Sequence, residues 1–397
     1  MCYNFNERND FMENFEYSSP TNIVFGKDQL ETLPSLMDAH SVKRVLLVYG
    51  KSAIKKLGIY DRINTLLKDR GIEIYEEGDV RPNPDMSSVL SGRKQVLKYN
   101  IDFILAAGGG SVIDAAKAIA FGARLEEEDV WKTFMHEAAY KGALPIGVIL
   151  TIAATGSETN GNTVISNDAE NDKRSIAKES LRPQFAIIDP SYTFSVPRHH
   201  TFAGSIDIMM HIFEQYFSPT KRTETSDYMT LGVLKSVIEN TNRILNGEDD
   251  YNTRANISWA ATLALNWILQ KGKVGDWASH RLSYPLTVHY GLTHGYALSS
   301  IFPSWIETAR TYNPEDMKRR LSLLAREVLG GKGEDVPDTL RTLFRKWGAP
   351  ASFKDSEIDL SEEAATNLAK QTVALGDVGN MIKINASIAK ELYLNAR

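Results

Sequence analysis

Between residues 44 and 189 short apolar runs alternate with helical patterns, and this alternation limits the folds open to the chain. The run at 44–50, RVLLVYG, is apolar throughout and ends in glycine, as a strand buried inside a parallel sheet does. Helical spacing follows over 52–70. A strand then starts at 72–75, a helix covers 85–99, a strand 101–107 and a helix 111–122, with further strands at 145–150 and 185–188. Parallel strands need crossover connections, so strand–helix alternation of this length predicts an open α/β layer. Beyond Pro197 the strand runs stop. Helical patterns cover 207–217, 225–245, 253–269, 310–329, 337–347 and 362–375, and Pro285 reads as a break among them. The expected architecture is an α/β domain over 12–195 and an all-helical domain over 196–397, with Asp189-Pro190 and Val196-Pro197 as punctuation. Residues 1–11 read as an extension, because Met12 opens a segment that resembles a native start.

Composition narrows the chemistry. The formal charge of −5 supplies no basic excess to neutralise phosphates, so nucleic acid is not an expected partner. Cys2 is the single cysteine, which removes an intrachain disulfide framework and any cysteine-built metal cluster. A metal site must then come from His, Asp and Glu, and only eight histidines are present. No apolar run approaches the roughly 18–20 residues that span a bilayer, and the polar N-terminus is no signal peptide. No membrane partner is expected, and cytoplasm is the default compartment.

Three turns are placed to hold a ligand, since open α/β sheets bind at the C-terminal ends of their strands. The strand at 101–107 runs into Gly108-Gly109-Gly110-Ser111 and then a helix. Glycines allow close backbone approach, and a helix N-terminus suits a pyrophosphate. The same residues also read as a plain tight turn in which Ser111 caps the helix and Asp114 completes a capping box. The G-x-G-x-x-G fingerprint is absent. The second turn is Gly50-Lys51-Ser52, where an acid would bond a ribose 2′-hydroxyl. Lys51 and Ser52 suit a 2′-phosphate, or they are a solvated helix start. The third, 151–160, carries small hydroxyl residues such as Thr151 and Thr155 that either bond a ligand or cap a helix.

Asp207 and His211 are four apart in an apolar helical stretch, so both side chains share one face. A buried ionised Asp is costly unless it is paired or ligating. His280 and His294 also lie among apolar residues. One aspartate and three histidines suit a borderline divalent ion with a position open to substrate. Singly, each histidine reads as a satisfied core residue, and Asp207 with His211 as a hydrogen-bonded pair.

Together these residues carry a resemblance to the iron-containing (group III) alcohol dehydrogenases, and within them to the butanol dehydrogenase and aldehyde reductase branch. Its marks run in order from about Met12 to the C-terminus: 20–26 (PTNIVFG), the 108–111 turn with Asp114 and Lys117, 154–158 (ATGSE), 188–190 (IDP), and the Asp/His/His/His set. The resemblance implies a Rossmann-like N-terminal domain and a helical C-terminal domain, the dehydroquinate synthase-like fold. It implies that Asp207, His211, His280 and His294 ligate one divalent ion, Fe2+ or Zn2+ ahead of Ni2+ or Mn2+. Gly109, Gly110 and Ser111 would hold the pyrophosphate. Asp114, Thr151, Thr155, Asn160 and Lys173 would lie along the ribose and nicotinamide end.

The implied reaction is hydride exchange between NAD(P)H and small aldehydes or alcohols, by a homodimer. Members of this branch usually prefer NADPH, so the resemblance favours NADP(H) over NAD(H); the 50–52 turn holds no acid to select NAD, although Lys51 and Ser52 replace glycines usual in this branch. A second departure lies at Tyr284, where the family usually carries a histidine near the nicotinamide. Tyr284, His289 or water must then move the proton, with Asp114 also among the catalytic candidates. Two rival readings are a dehydroquinate synthase-like lyase, which would need a cationic substrate pocket, and a metal- and nucleotide-binding protein without turnover.

Overall fold

The structure is a computed structural model that describes residues 11–397, so the proposed extension lies, except for Phe11, outside the described residues. Six parallel strands form the main sheet: β1 (Asn22–Phe25), β2 (Arg44–Tyr49), β3 (Glu73–Glu77), β4 (Phe103–Gly108), β5 (Ile146–Leu150) and β8 (Phe185–Ile188). Their spatial order is β1-β8-β5-β4-β2-β3. Side chains alternate across β2. Leu46 and Val48 face a core shared with the helices Met86–Tyr99, Gly110–Gly122 and Glu127–Phe134. Val45, Leu47 and Tyr49 face a second core under Leu33–Ala39 and Ile59–Lys68. Burial on both faces explains why these strands read as continuous apolar runs.

The strand order turns at the β2/β4 pair. From β2 the sheet grows to β3 on one side, and through β4 to β5 and β8 on the other. That is the switch point at which doubly wound sheets open a ligand crevice. Register sets Tyr49 opposite Ala107, and Gly108 opposite Leu150. The turns beginning at Gly50, Gly109 and Thr151 therefore leave one edge of the sheet side by side.

An antiparallel hairpin, β6 (Asn162–Asn167) and β7 (Asp172–Ala177), follows the 151–160 turn and was not expected. Its polar, half-exposed residues conceal the period of two.

By contacts the chain groups into two compact units. One holds 18–197 with 249–262; the other holds 198–248 and 263–397, together with the described residues before Ser18. The first unit therefore includes most of the helix Tyr251–Leu265, where Arg254 donates to the Thr193 carbonyl at 3.1 Å and Thr262 donates to Glu158 at 2.7 Å. The second unit is helical. Its central helix, Arg198–Tyr216, begins nine residues earlier than the apolar pattern at 207 suggested, and nearly all of it is buried. Pro285 is no break: the helix Ala278–Tyr290 runs through it and ends at Gly291, in the left-handed region at φ 64°. Pro314 is the effective divider, separating His294–Tyr312 from Pro314–Leu324 within the stretch that reads as one helix. No helix among the described residues is long and apolar enough to cross a membrane.

Candidate functional site

In the helical unit three imidazoles surround one carboxylate oxygen. His211 Nε2 and His280 Nε2 each lie 3.8 Å from Asp207 Oδ1, and His294 Nε2 lies 3.6 Å from it. These separations are too long for hydrogen bonds. They match the spacing of about 3.4 Å between donor atoms around a tetrahedral ion with bonds near 2.1 Å. Asp207 Oδ1 and His280 Nε2 are buried and have no hydrogen-bond partner, a condition proteins rarely tolerate without a use. Asp207, His280 and His294 offer donor atoms all within 4.8 Å of one another. The His211 ring lies against that set, stacked on His280 with centroids 4.7 Å apart. The residues present thus fit a divalent cation.

Charge balance supports the fit. Burial pushes the Asp207 carboxyl up, but the imidazoles of His211, His294 and His280 outweigh it and hold the group well below the usual carboxylate range. Burial pulls His211 down to about 4, so near pH 7 its ring is neutral, as a ligand must be. Burial would also lower His280, but the carboxylates of Asp207 and Glu214 push it up to about 9. The His294 side chain is 28% exposed while the other two rings are buried, so the group opens toward solvent on the His294 side.

Local sequence builds this group. Asp207 and His211 share one face of Arg198–Tyr216. His280 stands in the first turn of Ala278–Tyr290, and His294 is the first residue of its helix. Gly295 lets that helix close on its neighbour. A Cβ at Gly295 would stand 2.1 Å from the Ala203 carbonyl oxygen, one turn before Asp207. The Tyr284 ring lies 6.3 Å from His294, one turn beyond His280. His289 is not brought to the group: its Nε2 meets Gln371 at 2.8 Å, and nine residues of helix separate it from His280 by about 13 Å.

In the sheet unit the three turns form a second cluster. The capping box expected at Ser111 and Asp114 is absent. Gly109 is the N-cap residue and no side chain caps the helix; the Val112 N–H turns back to the Gly109 carbonyl at 3.0 Å, so the Gly110 and Ser111 N–H groups are the ones placed to meet another acceptor. Close packing accounts for the glycines. A Cβ on Gly110 would meet the Thr155 side chain at 2.6 Å, and one on Gly109 would meet Ile152 at 3.3 Å. Asp114 points inward, accepting from Ser157 Oγ at 3.0 Å, and burial raises its carboxyl to about 6. Asn160 also turns inward, donating to the Gly156 carbonyl and accepting from Lys117.

Lys117 is a residue whose part here the sequence reading did not see. Fully buried, it donates to Ser157, Asn160 and Asn162 and so clamps the 156–162 loop to the turn's helix, and burial pulls its ammonium down. Thr151 is buried, and its N–H donates to the Gly108 carbonyl. Lys173 lies on β7 and donates to Asn83 at 2.9 Å. Gly50 is half-buried, while Lys51 and Ser52 are exposed.

These features have counterparts in known proteins. A profile of the iron-containing alcohol dehydrogenases matches residues 20–190, and the C-terminal profile of that family matches 201–396. The chain belongs to this family. It is 38% identical over 380 residues to the probable NADH-dependent butanol dehydrogenase 2 of Bacillus subtilis, covering 94% of this chain and 97% of that protein. It is 32% identical to an NADPH-dependent aldehyde reductase of Escherichia coli, covering 97% and 100%. Among solved structures, an NADH-dependent butanol dehydrogenase A from Thermotoga maritima superposes with a TM-score of 0.91 at 34% identity, covering 97% of this chain and 99% of that one. The resemblance read from the sequence, the fold class and the alcohol dehydrogenase/aldehyde reductase activity class all stand.

Proposed function

We propose that the chain reduces small straight-chain aldehydes such as butanal, and oxidises the matching alcohols, at one divalent ion held by Asp207, His211, His280 and His294. The observation that carries this is the approach of three imidazole nitrogens to one buried carboxylate oxygen at 3.6–3.8 Å. When bound, the ion would polarise the substrate oxygen and the nicotinamide cofactor would exchange the hydride. Fe2+ or Zn2+ suits the mixed oxygen and nitrogen donors, ahead of Ni2+ or Mn2+. His294, the most exposed of the four, marks the side from which substrate enters. Tyr284 stands on that side and would pass the proton to or from the substrate oxygen.

NADP(H) is the proposed cofactor, held at Gly50, Lys51, Ser52, Gly109, Gly110, Ser111 and Thr155, with Asp114, Thr151, Asn160 and Lys173 shaping the pocket. Lys51 is exposed and suits a 2′-phosphate. Residues 12–195 would serve as the dinucleotide-binding domain and 196–397 as the metal-binding domain, in a cytoplasmic homodimer. The lyase reading has little support. Arg198 donates to the carbonyls of Ile244 and Leu245, Lys271 to that of Glu16, and Lys273 is buried against Asp227. Those three cations are committed elsewhere, which leaves Arg281, 6.0 Å from the Tyr284 ring, as the one remaining candidate of the four. Metal analysis and butanal reduction with NADPH and NADH, on wild type and His280→Ala, test the proposal. Unchanged metal content and unchanged rates in the variant would refute it.

A further inference from the structure

One buried carboxylate beside the metal group is not a member of the proposed ligand set. Glu214 is 2% exposed and lies two turns beyond Asp207 on the same helix. Its Oε1 accepts two hydrogen bonds from one residue: the His280 main-chain N–H at 2.9 Å and the His280 Nδ1 at 2.9 Å. The first bond satisfies a donor that helix Ala278–Tyr290 leaves open, since its N-cap residue, Trp277, provides no side-chain cap. The second has a different consequence. A carboxylate bonded to Nδ1 keeps a proton there, so Nε2, which faces Asp207, is the nitrogen that gives up its proton when an ion binds.

The geometry points to Glu214 as a positioning residue of the metal centre, one that fixes the orientation and tautomer of the His280 ring. This rests on reading Asp207, His211, His280 and His294 as the ligand set. The His280 ring is the middle one of three. His211 stacks on it at 4.7 Å with planes 20° apart, and His294 meets it edge-on at 5.4 Å. His211 Nδ1 has no hydrogen-bond partner of its own, so ring contacts orient it, with His280 the nearer at 4.7 Å and Trp277 at 6.5 Å. Holding His280 therefore holds His211 as well. The anchor is itself fixed. The Glu214 carbonyl accepts from the Asp276 N–H at 2.7 Å, and the Asp276 carboxylate accepts from the N–H groups of Ala278, Asn380 and Met381. One helix thus carries a ligand, a second ligand and the orienting acid at i, i+4 and i+7, all on one face.

The test is Co2+ titration of wild type, Glu214→Gln and His280→Ala, followed through the visible absorption of the bound ion, with thermal melts of the metal-free proteins. Glutamine keeps the size and one acceptor but loses the charge. Support is a Co2+ dissociation constant raised roughly 10–100-fold in Glu214→Gln, with an altered spectrum and a metal-free melting temperature close to wild type. Wild-type affinity and spectrum in Glu214→Gln overturn the inference, whether or not the metal-free protein melts lower. If Co2+ binding is also unchanged in His280→Ala, the ligand set itself is wrong; if it is lost there, only the role of Glu214 falls. Should Glu214→Gln fail to fold, 15N spectra of Zn2+-loaded wild type labelled at histidine decide. Ligation through His280 Nε2 with a proton on Nδ1 supports the inference, and ligation through Nδ1 overturns it.

Discussion

Gly295→Ala is the most informative single change to this fold. The added methyl would sit 2.1 Å from the Ala203 carbonyl oxygen and 2.9 Å from its carbonyl carbon. Both are backbone atoms of a buried helix, so no side chain can rotate out of the way. Ordinary contact requires a retreat of roughly 1 Å by one helix or the other. His294, next in the chain to Gly295, would be carried with it, and metal–ligand bonds tolerate only about 0.2 Å. Overpacking of this kind costs about 1–3 kcal/mol. Loss of one ligand should weaken metal binding by at least the roughly 10–100-fold seen when a mere supporting partner is removed.

The assay is Zn2+ affinity by chelator competition, with melting curves in the presence and absence of metal. Gly232→Ala is the control. It lies within the helix Glu224–Leu245, where a Cβ meets nothing within 4 Å, so that change should stabilise by up to about 1 kcal/mol and leave Zn2+ affinity alone. Wild-type Zn2+ affinity in Gly295→Ala would refute the argument that close helix contact sets the metal geometry.

Gly110→Ala should clash with Thr155 at 2.6 Å and weaken NADPH binding about tenfold, measured by the fluorescence of bound NADPH. Equal affinity would remove the 109–111 turn from the cofactor site. Tyr284→Phe should lower kcat for butanal about 100-fold with metal content unchanged, the low end of what a general acid contributes; an unchanged kcat would take the proton role from the phenol. Burial holds Asp114 up at about 6, facing Ser157 and the ammonium groups of Lys117 and Lys173, against about 3.9 for an exposed aspartate. The stability from its protonated form is fully present below about pH 4 and is lost as pH rises through about 6. Asp114→Asn should therefore flatten the fall in melting temperature over that window, and an unaltered profile would show that Asp114 titrates normally.

What the sequence revealed depended on how local each signal is. β2, β4 and β5 are buried on both faces, so their apolar runs stand out without reference to any neighbour. The β6–β7 hairpin did not stand out, because its half-buried polar residues interrupt the apolar alternation. Asp207 and His211 share a helix turn and were readable as a pair. His294 reaches them through the crossing at Gly295, which depends on a backbone contact 92 residues away in the chain, at Ala203, and His280 reaches them through its bonds to Glu214. Glu214 carried a legible signal, an acid at i+7 from the first ligand, but its meaning depends on a ring 66 residues further on. The inward turn of Asp114 and Asn160 likewise follows from Lys117 and Ser157, partners that only the folded loop brings close.

The composition of the two units also has a consequence for synthesis. Residues 249–262 complete the sheet unit, although more than fifty residues of the helical unit precede them in the chain. A ribosome that has released the whole sheet still withholds the partner of Glu158, because Thr262 comes later. The segment before Ser18 waits longer still, since Glu13 donates to the carbonyl of Gly272. At about 5–20 residues per second, the sheet unit spends seconds exposed and incomplete. A fragment ending at residue 197 would remain in that state permanently.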